Sequence, residues 1–341
     1  MEHYFATVLP GLEYVLRDEI RVKIVDASVQ SMERGKVYFT SGMPVEALMV
    51  LRTADNLYKP LHRFQVGPHR IHLANIEQEI FQCDLSWAYL NRTGMISYKV
   101  NASRMGKHTY SRFDAAEAAA QGIARRDSCF WRSNVGMHEL EFRLDIHQDD
   151  AVFAVRLTDA MFRYRKGERG FTQAALRPTV AHALVWLSNP EETDVFVDPC
   201  CGSGTILSER LDYPFFQIEG GDVSKAAVEV SKENIGFHEH VWIQQWDARQ
   251  LPIDSGYIDK MVTNLPFGRQ ISADENISEL YYAIVKEMNR VLKRNGTILC
   301  LTDADAALEI AAERVQFNCA KEVTLSLKGL HPTLFSLKKQ E

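Results

Sequence analysis

Two short stretches carry residue types that could do chemistry. One is Asp198-Pro199-Cys200-Cys201-Gly202-Ser203-Gly204-Thr205, a glycine loop opened by an acid; the other, further along the chain, is Asn264-Leu265-Pro266-Phe267. An amino nitrogen on an aromatic ring or an amide is a poor nucleophile, because its lone pair is delocalised. The Asn264 side-chain oxygen and the Leu265 backbone carbonyl can accept its two N–H bonds. They thereby draw the nitrogen toward tetrahedral geometry and aim its lone pair at an electrophile, so positioning and hydrogen bonding do most of the work. Pro266 fixes the backbone and removes a competing donor. Phe267 offers a face on which a flipped base can stack. No strong general base is required, since the proton can leave after transfer.

The glycine loop suggests what the electrophile rides on. Glycines let a backbone approach a ligand closely and turn sharply into a helix. A phosphate-binding loop would carry Gly-Lys-Ser/Thr or Gly-x-Gly-x-x-Gly. Neither is present and no Lys lies in the loop, which argues against ATP. The amides around Cys200, Gly202, Ser203, Gly204 and Thr205 suit the carboxylate of a zwitterion, with Asp198 facing its ammonium or sulfonium side. S-adenosylmethionine (SAM) is therefore the expected cofactor. Asp222, followed by Val223, is placed to accept two ribose hydroxyls. Asp247, followed by Ala248, is placed to accept from an adenine amino group.

Competing chemistries are weaker. Cys200 and Cys201 suggest a thiolate attack on cytosine, but they lie in the cofactor loop and are expected to pack. His238-Glu239-His240 sits on a turn after a helix and is expected to be solvated. The six cysteines form no Cys-x-x-Cys pair, so reduced thiols are expected rather than disulfides or a zinc site. No metal is expected. There is no run of 18 apolar residues, hence no expected membrane span. Met1 to Phe5 lacks a basic region and a long apolar core, and a cytoplasmic location is expected.

The elements that must position these residues alternate. Val195–Asp198, Phe215–Ile218 running into Asp222, Val241–Gln244, Ile258–Thr263 and Thr297–Leu301 are expected strands. Thr205–Leu211, Lys225–Ile235 behind a Ser224 N-cap, Ser278–Lys293 and Ala306–Val315 are expected helices. Leu280, Ile284, Met288 and Leu292 mark one face of the third. Val323–Leu327 and Thr333–Leu337 are an expected closing hairpin. This is an α/β pattern with a doubly wound, mostly parallel sheet, and Asp198, Asp222, Asp247 and Asn264 all fall at strand ends, where such sheets bind ligands. Upstream, strands are expected at Tyr4–Leu9, Lys36–Phe39, Ile96–Ala102, Glu139–Ile146 and Ala151–Leu157, and helices at Gly11–Val22, Val45–Ala54 and Arg112–Arg126. The last two strands join as a hairpin. Two small α+β modules fit this half better than one.

At 341 residues, 46% hydrophobic and 25% charged, the chain is a globular protein of two or three domains. Its net charge of −6 is unevenly spread. Residues 1–170 hold 23 Lys/Arg against 21 Asp/Glu, and residues 171–341 hold 16 against 24. Arg104, Lys107, His108, Arg112, Arg125 and Arg126, interleaved with Tyr110, Phe113 and Trp131, could grip phosphates and stack on RNA.

With these residues in view, the sequence resembles the THUMP-containing RNA guanine-N2 methyltransferases. Tyr4 to Glu13 resembles the family's opening strand and helix. Asn264-Leu-Pro-Phe-Gly268 resembles the form used by N2-guanine members rather than the Asn-Pro-Pro-Tyr of adenine enzymes. Phe171 to Leu187, with Ala175-Leu-Arg-Pro178, resembles the segment that enters the methyltransferase domain and helps close over SAM. Val100–Arg112 and residues 139–170 resemble the THUMP module. The resemblance implies a ferredoxin-like domain at 1–62, a THUMP RNA-binding domain at 63–160 and a Rossmann-like SAM-dependent methyltransferase domain at 161–341, with 161–175 as linker. It implies Pro178 among the cofactor residues, and Arg165, Lys166 and Arg269 among RNA contacts. The implied reaction is N2 methylation of a guanosine in tRNA, position 6 of the acceptor stem leading, with THUMP holding the 3′ end. A monomer is expected, with an accessory subunit left open. The alternatives are an amino-methyltransferase acting on rRNA or DNA, a protein glutamine methyltransferase, and an RNA-binding protein with a vestigial methyltransferase domain. The last would have lost Asp198, Gly202, Gly204 or Asn264, and all are intact.

Overall fold

The structure, a computed structural model, describes residues 1–89, 94–133, 138–165, 170, 175–267, 276–327 and 329–340. The first half forms β1 (Glu2–Thr7), α1 (Glu13–Lys23), β2 (Ser28–Glu33), β3 (Lys36–Ser41), α2 (Val45–Leu48), β4 (Asn56–Gln65), α3 (Leu73–Gln82), α4 (Ser86–Tyr89), β5 (Ile96–Met105), α5 (Arg112–Arg126), β6 (Phe130–Arg132), β7 (Leu140–His147) and β8 (Asp150–Arg156). The second half forms α6 (Pro178–Leu187), β9 (Val195–Asp198), α7 (Thr205–Arg210), β10 (Gln217–Asp222), α8 (Lys225–Ile235), β11 (Val241–Gln245), β12 (Ile258–Asn264), α9 (Ile277–Val291), β13 (Leu292–Thr302), α10 (Asp305–Arg314), β14 (Phe317–Thr324) and β15 (Thr333–Lys339).

The second half is the expected doubly wound sheet, in the order β11-β10-β9-β12-β13-β15-β14. Strands β9 to β13 run parallel, and β15 runs antiparallel between β13 and β14. The chain leaves β9 toward β10 on one side and returns to β12 on the other, so the switch point lies between β9 and β12. That is where such sheets open a crevice for ligands. Ser224 caps α8 as expected, its hydroxyl accepting the Ala227 N–H.

The first half is a single sheet, β2-β3-β1-β4-β8-β7-β5-β6. Strand β4 is shared: Tyr58 pairs with Phe5 of β1 on one side and with Arg156 of β8 on the other. Its register shifts between Pro60 and His62, because proline has no N–H to give a ladder. On the β5–β8 part of the sheet, α5 packs against α3. Ser111 and Asp114 cap α5 reciprocally, the Ser111 hydroxyl accepting the Asp114 N–H and the Asp114 carboxylate accepting the Ser111 N–H. Gly122 permits the close approach of the two helices, since a Cβ there would sit 2.5 Å from the Glu77 carbonyl oxygen.

Several elements differ from expectation, each for a physical reason. The helix expected over Val45–Ala54 stops at Leu48. The Arg52 and Thr53 amides instead donate to the Glu19 carboxylate, at 2.8 and 2.9 Å. Helix α9 ends at Val291, and Leu292 begins an eleven-residue strand. The buried face of α9 is Tyr281, Ile284, Val285, Met288 and Val291, not one that includes Leu280 and Leu292. The closing hairpin starts earlier, at Phe317. Strands β2, β4 and β6 and helices α3 and α4 are additions, although Leu73, Ile76 and Ile80 of α3 recur at helical spacing and gave a signal that could have been read.

The two halves share one core. Leu12, at the N-cap of α1, and Leu16 and Ile20 within it share a core with Val180 and Leu184 of α6 and with Phe196 of β9. Beside that core lies a buried polar junction. Glu209 of α7 is fully buried. It accepts from Arg52 Nε at 3.0 Å and from Arg165 Nε at 3.1 Å, and Arg165 also donates to the Arg52 carbonyl at 2.6 Å. Thr179 donates to Asp55 at 2.8 Å. His182 lies between the Thr53 hydroxyl at 3.0 Å and the Tyr213 hydroxyl at 2.7 Å. Burial pushes its imidazolium down to about 3, so His182 is neutral.

Removing one partner of a buried ion pair leaves uncompensated charge. Glu209→Ala is expected to lower unfolding free energy by about 3 to 5 kcal/mol, read from chemical denaturation. A loss below about 1 kcal/mol, the range of exposed pairs, would show that the junction does not hold the halves together.

Candidate active site at the carboxyl ends of the strands

Asp222, Asp198 and Asn264 end the adjacent strands β10, β9 and β12, and Asp247 lies just beyond β11. The four residues picked out from the sequence thus line one edge of the sheet. The glycine loop is bound to its neighbours through backbone groups. Gly202 N–H donates to Asp222 at 3.0 Å, Cys201 N–H to the Gly221 carbonyl at 2.9 Å, and Cys200 N–H to Asp198 at 3.2 Å. Gly204 has φ +75° and passes so close to α8 that a Cβ would sit 2.3 Å from the Ser231 hydroxyl. The loop's shape therefore requires glycine.

Two anchors of this loop carry no signal in the sequence. Trp246, buried just before Asp247, donates its indole N–H to the Pro199 carbonyl at 2.9 Å. Asn234 of α8 donates to the Ser203 carbonyl at 2.9 Å and to the Gly170 carbonyl at 2.8 Å, joining the connector to the loop.

Asp222 accepts the Ser224 N–H on one oxygen and the Gly202 N–H on the other, which leaves each oxygen a further lone pair for a hydroxyl donor. Beside it Val223 is 68% exposed, an apolar face turned outward next to a polar one. Asp247 is held by the Arg249 guanidinium on both oxygens, which keeps its carboxyl below the usual range. Ala248 is buried behind it.

Asp198 is buried. Burial pushes its carboxyl up to about 7, against the hydrogen bond from the Cys200 amide. The thiols of Cys200, Cys201 and Cys300 are also pushed up by burial. They stay protonated at neutral pH and serve as packing, not as nucleophiles.

At Asn264 the arrangement is incomplete in a specific way. Its Oδ1 atom is buried and meets no hydrogen-bond donor among the described residues. A buried acceptor left unpaired costs free energy, so native chains rarely keep one without a use. The residues beside it are fixed. Leu265 is buried and its N–H donates to the Leu301 carbonyl at 3.0 Å, while the Pro266 carbonyl accepts from the Tyr281 hydroxyl at 3.0 Å. Phe267 is partly exposed.

Comparison with known proteins gives the same picture. Residues 165–333 match the family UPF0020, described as RMKL-like, methyltransferase domain. The curated protein tRNA (guanine(6)-N(2))-methyltransferase THUMP3 of Bos taurus is 28% identical over 264 residues, covering 72% of this chain and 52% of that relative. The tRNA (guanine(6)-N2)-methyltransferase of Thermus thermophilus is 25% identical over 343 residues, covering 98% of both chains. The chain is thus similar over most of its length to tRNA guanine-N2 methyltransferases, and over residues 165–333 to a methyltransferase domain. It spans about half the length of the mammalian relatives it matches. The crystal structure of TrmN from Thermus thermophilus shares the fold across 100% of both chains, with a TM-score of 0.82 at 23% identity.

The expected RNA contacts separate in space. Arg104 and Lys107 are exposed beyond one end of α5. Arg112 lies there too, its guanidinium 4.8 Å from the ring of the exposed Phe113, and His108 accompanies them, bonded to the Gln148 carbonyl at 2.8 Å. The loop at 66–72 joins this surface, through Thr109 N–H to the Pro68 carbonyl and Arg70 N–H to the Thr109 hydroxyl. It adds His69, Arg70 and His72, which only the density of basic types at 69–72 could have signalled.

Other expected contacts are engaged elsewhere. Arg125 and Arg126 sit at the far end of α5 and bind α3, through Glu77 and the Phe81 carbonyl. Arg165, expected to contact RNA, gives its guanidinium to Glu209 and is one of the junction residues. Pro178 opens α6, which packs on the α7 helix that follows the glycine loop. Lys166 and Arg269 lie outside the described residues. Among the described residues no helix is long and apolar enough to cross a membrane, and no three His, Cys, Asp or Glu cluster as metal ligands.

The Asp198 carboxyl carries a pH signature. Its folded value is raised above that of the unfolded chain, so it favours folding at low pH, and that contribution is lost as pH rises from about 4 through about 7. Asp198→Asn keeps an acceptor for the Cys200 amide but cannot ionise. Its denaturation midpoint should gain on wild type between about pH 4 and about pH 7 and level off above that, when no ligand is added. A pH-independent difference would remove Asp198 as the titrating group.

Proposed function

We propose that the chain is a SAM-dependent methyltransferase that adds a methyl group to N2 of a guanosine in tRNA, position 6 of the acceptor stem. The observation that carries this reading is the buried, unpartnered Asn264 Oδ1 beside the Leu265 carbonyl, at a strand end next to the glycine loop. The names of the relatives from Bos taurus and Thermus thermophilus support the base and the position.

The glycine loop from Asp198 to Thr205, with Asp222, Val223, Asp247, Ala248 and Pro178, would hold SAM. The fit is chemical. Amides and a close-approach glycine suit a carboxylate, Asp222 suits hydroxyls, exposed Val223 suits a flat apolar ring, and a buried carboxyl at Asp198 is relieved by a neighbouring cation. When bound, SAM supplies an electrophilic methyl group.

The chain's own residues then act on the base. Asn264 Oδ1 and the Leu265 carbonyl accept the two N2 hydrogens and aim the nitrogen lone pair, and Phe267 stacks on the extruded guanine. After transfer the surplus proton leaves to solvent. We assign residues 1–62 as ferredoxin-like and 63–160 as THUMP. The basic surface of Arg104, Lys107, His108 and Arg112, joined by His69 and Arg70, is where the latter would hold the RNA backbone. The tRNA pool of the cytoplasm would be the substrate, met by a single copy of the chain.

The test is incubation with labelled SAM and bulk tRNA lacking guanine-N2 methylation, followed by nucleoside mass spectrometry and digestion mapping. N2-methylguanosine at position 6 is expected. Label in another nucleoside would overturn the assignment to guanine. In the same assay Asn264→Ala should turn over on the order of a hundredfold more slowly, with SAM affinity nearly intact. Unchanged turnover would remove Asn264 from the chemistry.

A further inference from the structure

The backbone that presents Asn264 and Leu265 is held from below by a chain of hydroxyls. The Tyr281 hydroxyl, from α9, lies 3.0 Å from the Pro266 carbonyl and 2.7 Å from the Thr302 hydroxyl at the end of β13. Thr302 Oγ1 also accepts the Ala304 N–H at 2.9 Å. Tyr281 and Thr302 are both fully buried, so water does not complete these bonds.

The direction of the chain is forced. A carbonyl can only accept, so the single Tyr281 proton goes to Pro266. Thr302, already accepting from Ala304, must then donate its own proton to Tyr281. Ala304 N–H, Thr302 O–H and Tyr281 O–H thus point one way and end on the catalytic loop. Each bond polarises the next.

The consequence falls on Leu265. Its N–H is fixed to the Leu301 carbonyl, and the Pro266 carbonyl is fixed to Tyr281. Between these two fixed points lie the Leu265 carbonyl and a proline whose ring sets φ. With both ends held, the Leu265 carbonyl has one direction. With the Tyr281 end released, it can rotate away from the one required beside Asn264 Oδ1.

We propose that Tyr281 is a positioning residue for methyl transfer, its hydroxyl holding the Pro266 carbonyl so that the Leu265 carbonyl and Asn264 Oδ1 present a paired acceptor to the substrate amino group. This rests on methyl transfer at the Asn264 motif, as argued above. Tyr281 touches neither substrate nor cofactor in this account and acts only through the loop.

Tyr281→Phe keeps the ring in the core and removes both bonds. Its single-turnover methyl-transfer rate, counted per SAM-binding site, should fall by at least about tenfold, in keeping with the sensitivity of positioned reactions to small displacements. SAM affinity and the KM for tRNA should stay within about twofold, since binding is not what the hydroxyl secures. Thr302→Val leaves the bond to Pro266 in place and should cost less. Added to Tyr281→Phe, it should cost nothing more.

Amide exchange at Leu265 gives a readout that needs no substrate. It should accelerate in Tyr281→Phe relative to other core amides. A wild-type rate per site in Tyr281→Phe, or unaltered exchange at Leu265, would overturn the proposal. If the wild type itself transfers no methyl to tRNA, the reading of the reaction fails, and the exchange at Leu265 still decides whether Tyr281 holds the loop.

Discussion

A carboxylate removed from water holds the molecule together. Glu209 sits between two guanidinium groups, Arg52 from the first half of the chain and Arg165 from the connector. Such a group is tolerable only with its partners in place, so it selects one arrangement of the two halves. Glu209 lies in α7, which begins directly after Gly204. The same short helix that carries the end of the glycine loop therefore also fixes the module with the basic surface. Glu19 does similar work one layer away, where it collects two amides that would otherwise have continued a helix and turns the chain toward Arg52. The distance from the basic surface to Asn264 is set by this junction.

At the catalytic end two groups are held away from their preferred states. Asn264 Oδ1 has no donor, and the Asp198 carboxyl is pushed toward neutrality by burial. The first is relieved by an N–H, the second by a cation. They stand on the neighbouring strands β12 and β9, across the switch point. The edge thus offers an unpaired acceptor beside a carboxyl that a cation would relieve. The cysteines among these residues, protonated and packed, take no part in that polarity.

Legibility of the sequence followed the physics of each element. Strand β9 announced itself because it is buried and apolar up to Asp198, whereas β10, β11 and β12 carry polar residues inside and were legible from short apolar runs leading to Asp222, Asp247 and Asn264. Helix α5 was plain from its alanine run, and its bounds were read as the structure has them, while its Ser111 cap came only with the structure. Strand β4 was hidden because Pro60 breaks its pattern and a strand paired on both sides across two modules shows little alternation. The reach of the helix after Val45 was overestimated because nothing local reveals that Glu19, thirty-odd positions earlier, competes for its amides. Among the site residues, those with their own chemistry were visible: the glycines, the strand-end acids and Asn264. Those that act by holding others, namely Trp246, Asn234 and Tyr281, were not, since an indole or a phenol in an apolar stretch looks like core until its partner is known. The basic residues illustrate the reverse: Arg125, Arg126 and Arg165 share a type with Arg104 and Arg112 but are used internally.

Strand β4 has a bearing on how the chain can be divided. Residues 62 and 63 lie inside it, so a cut at that point severs a strand paired with β1 on one side and with β8 on the other. Either fragment would carry a raw edge of unpaired N–H and C=O groups, which invites pairing with other chains. The sheet from β1 to β8 is therefore one unit for expression. A graft that moves the basic surface onto another domain has to take β1 to β8 whole, Arg52 included.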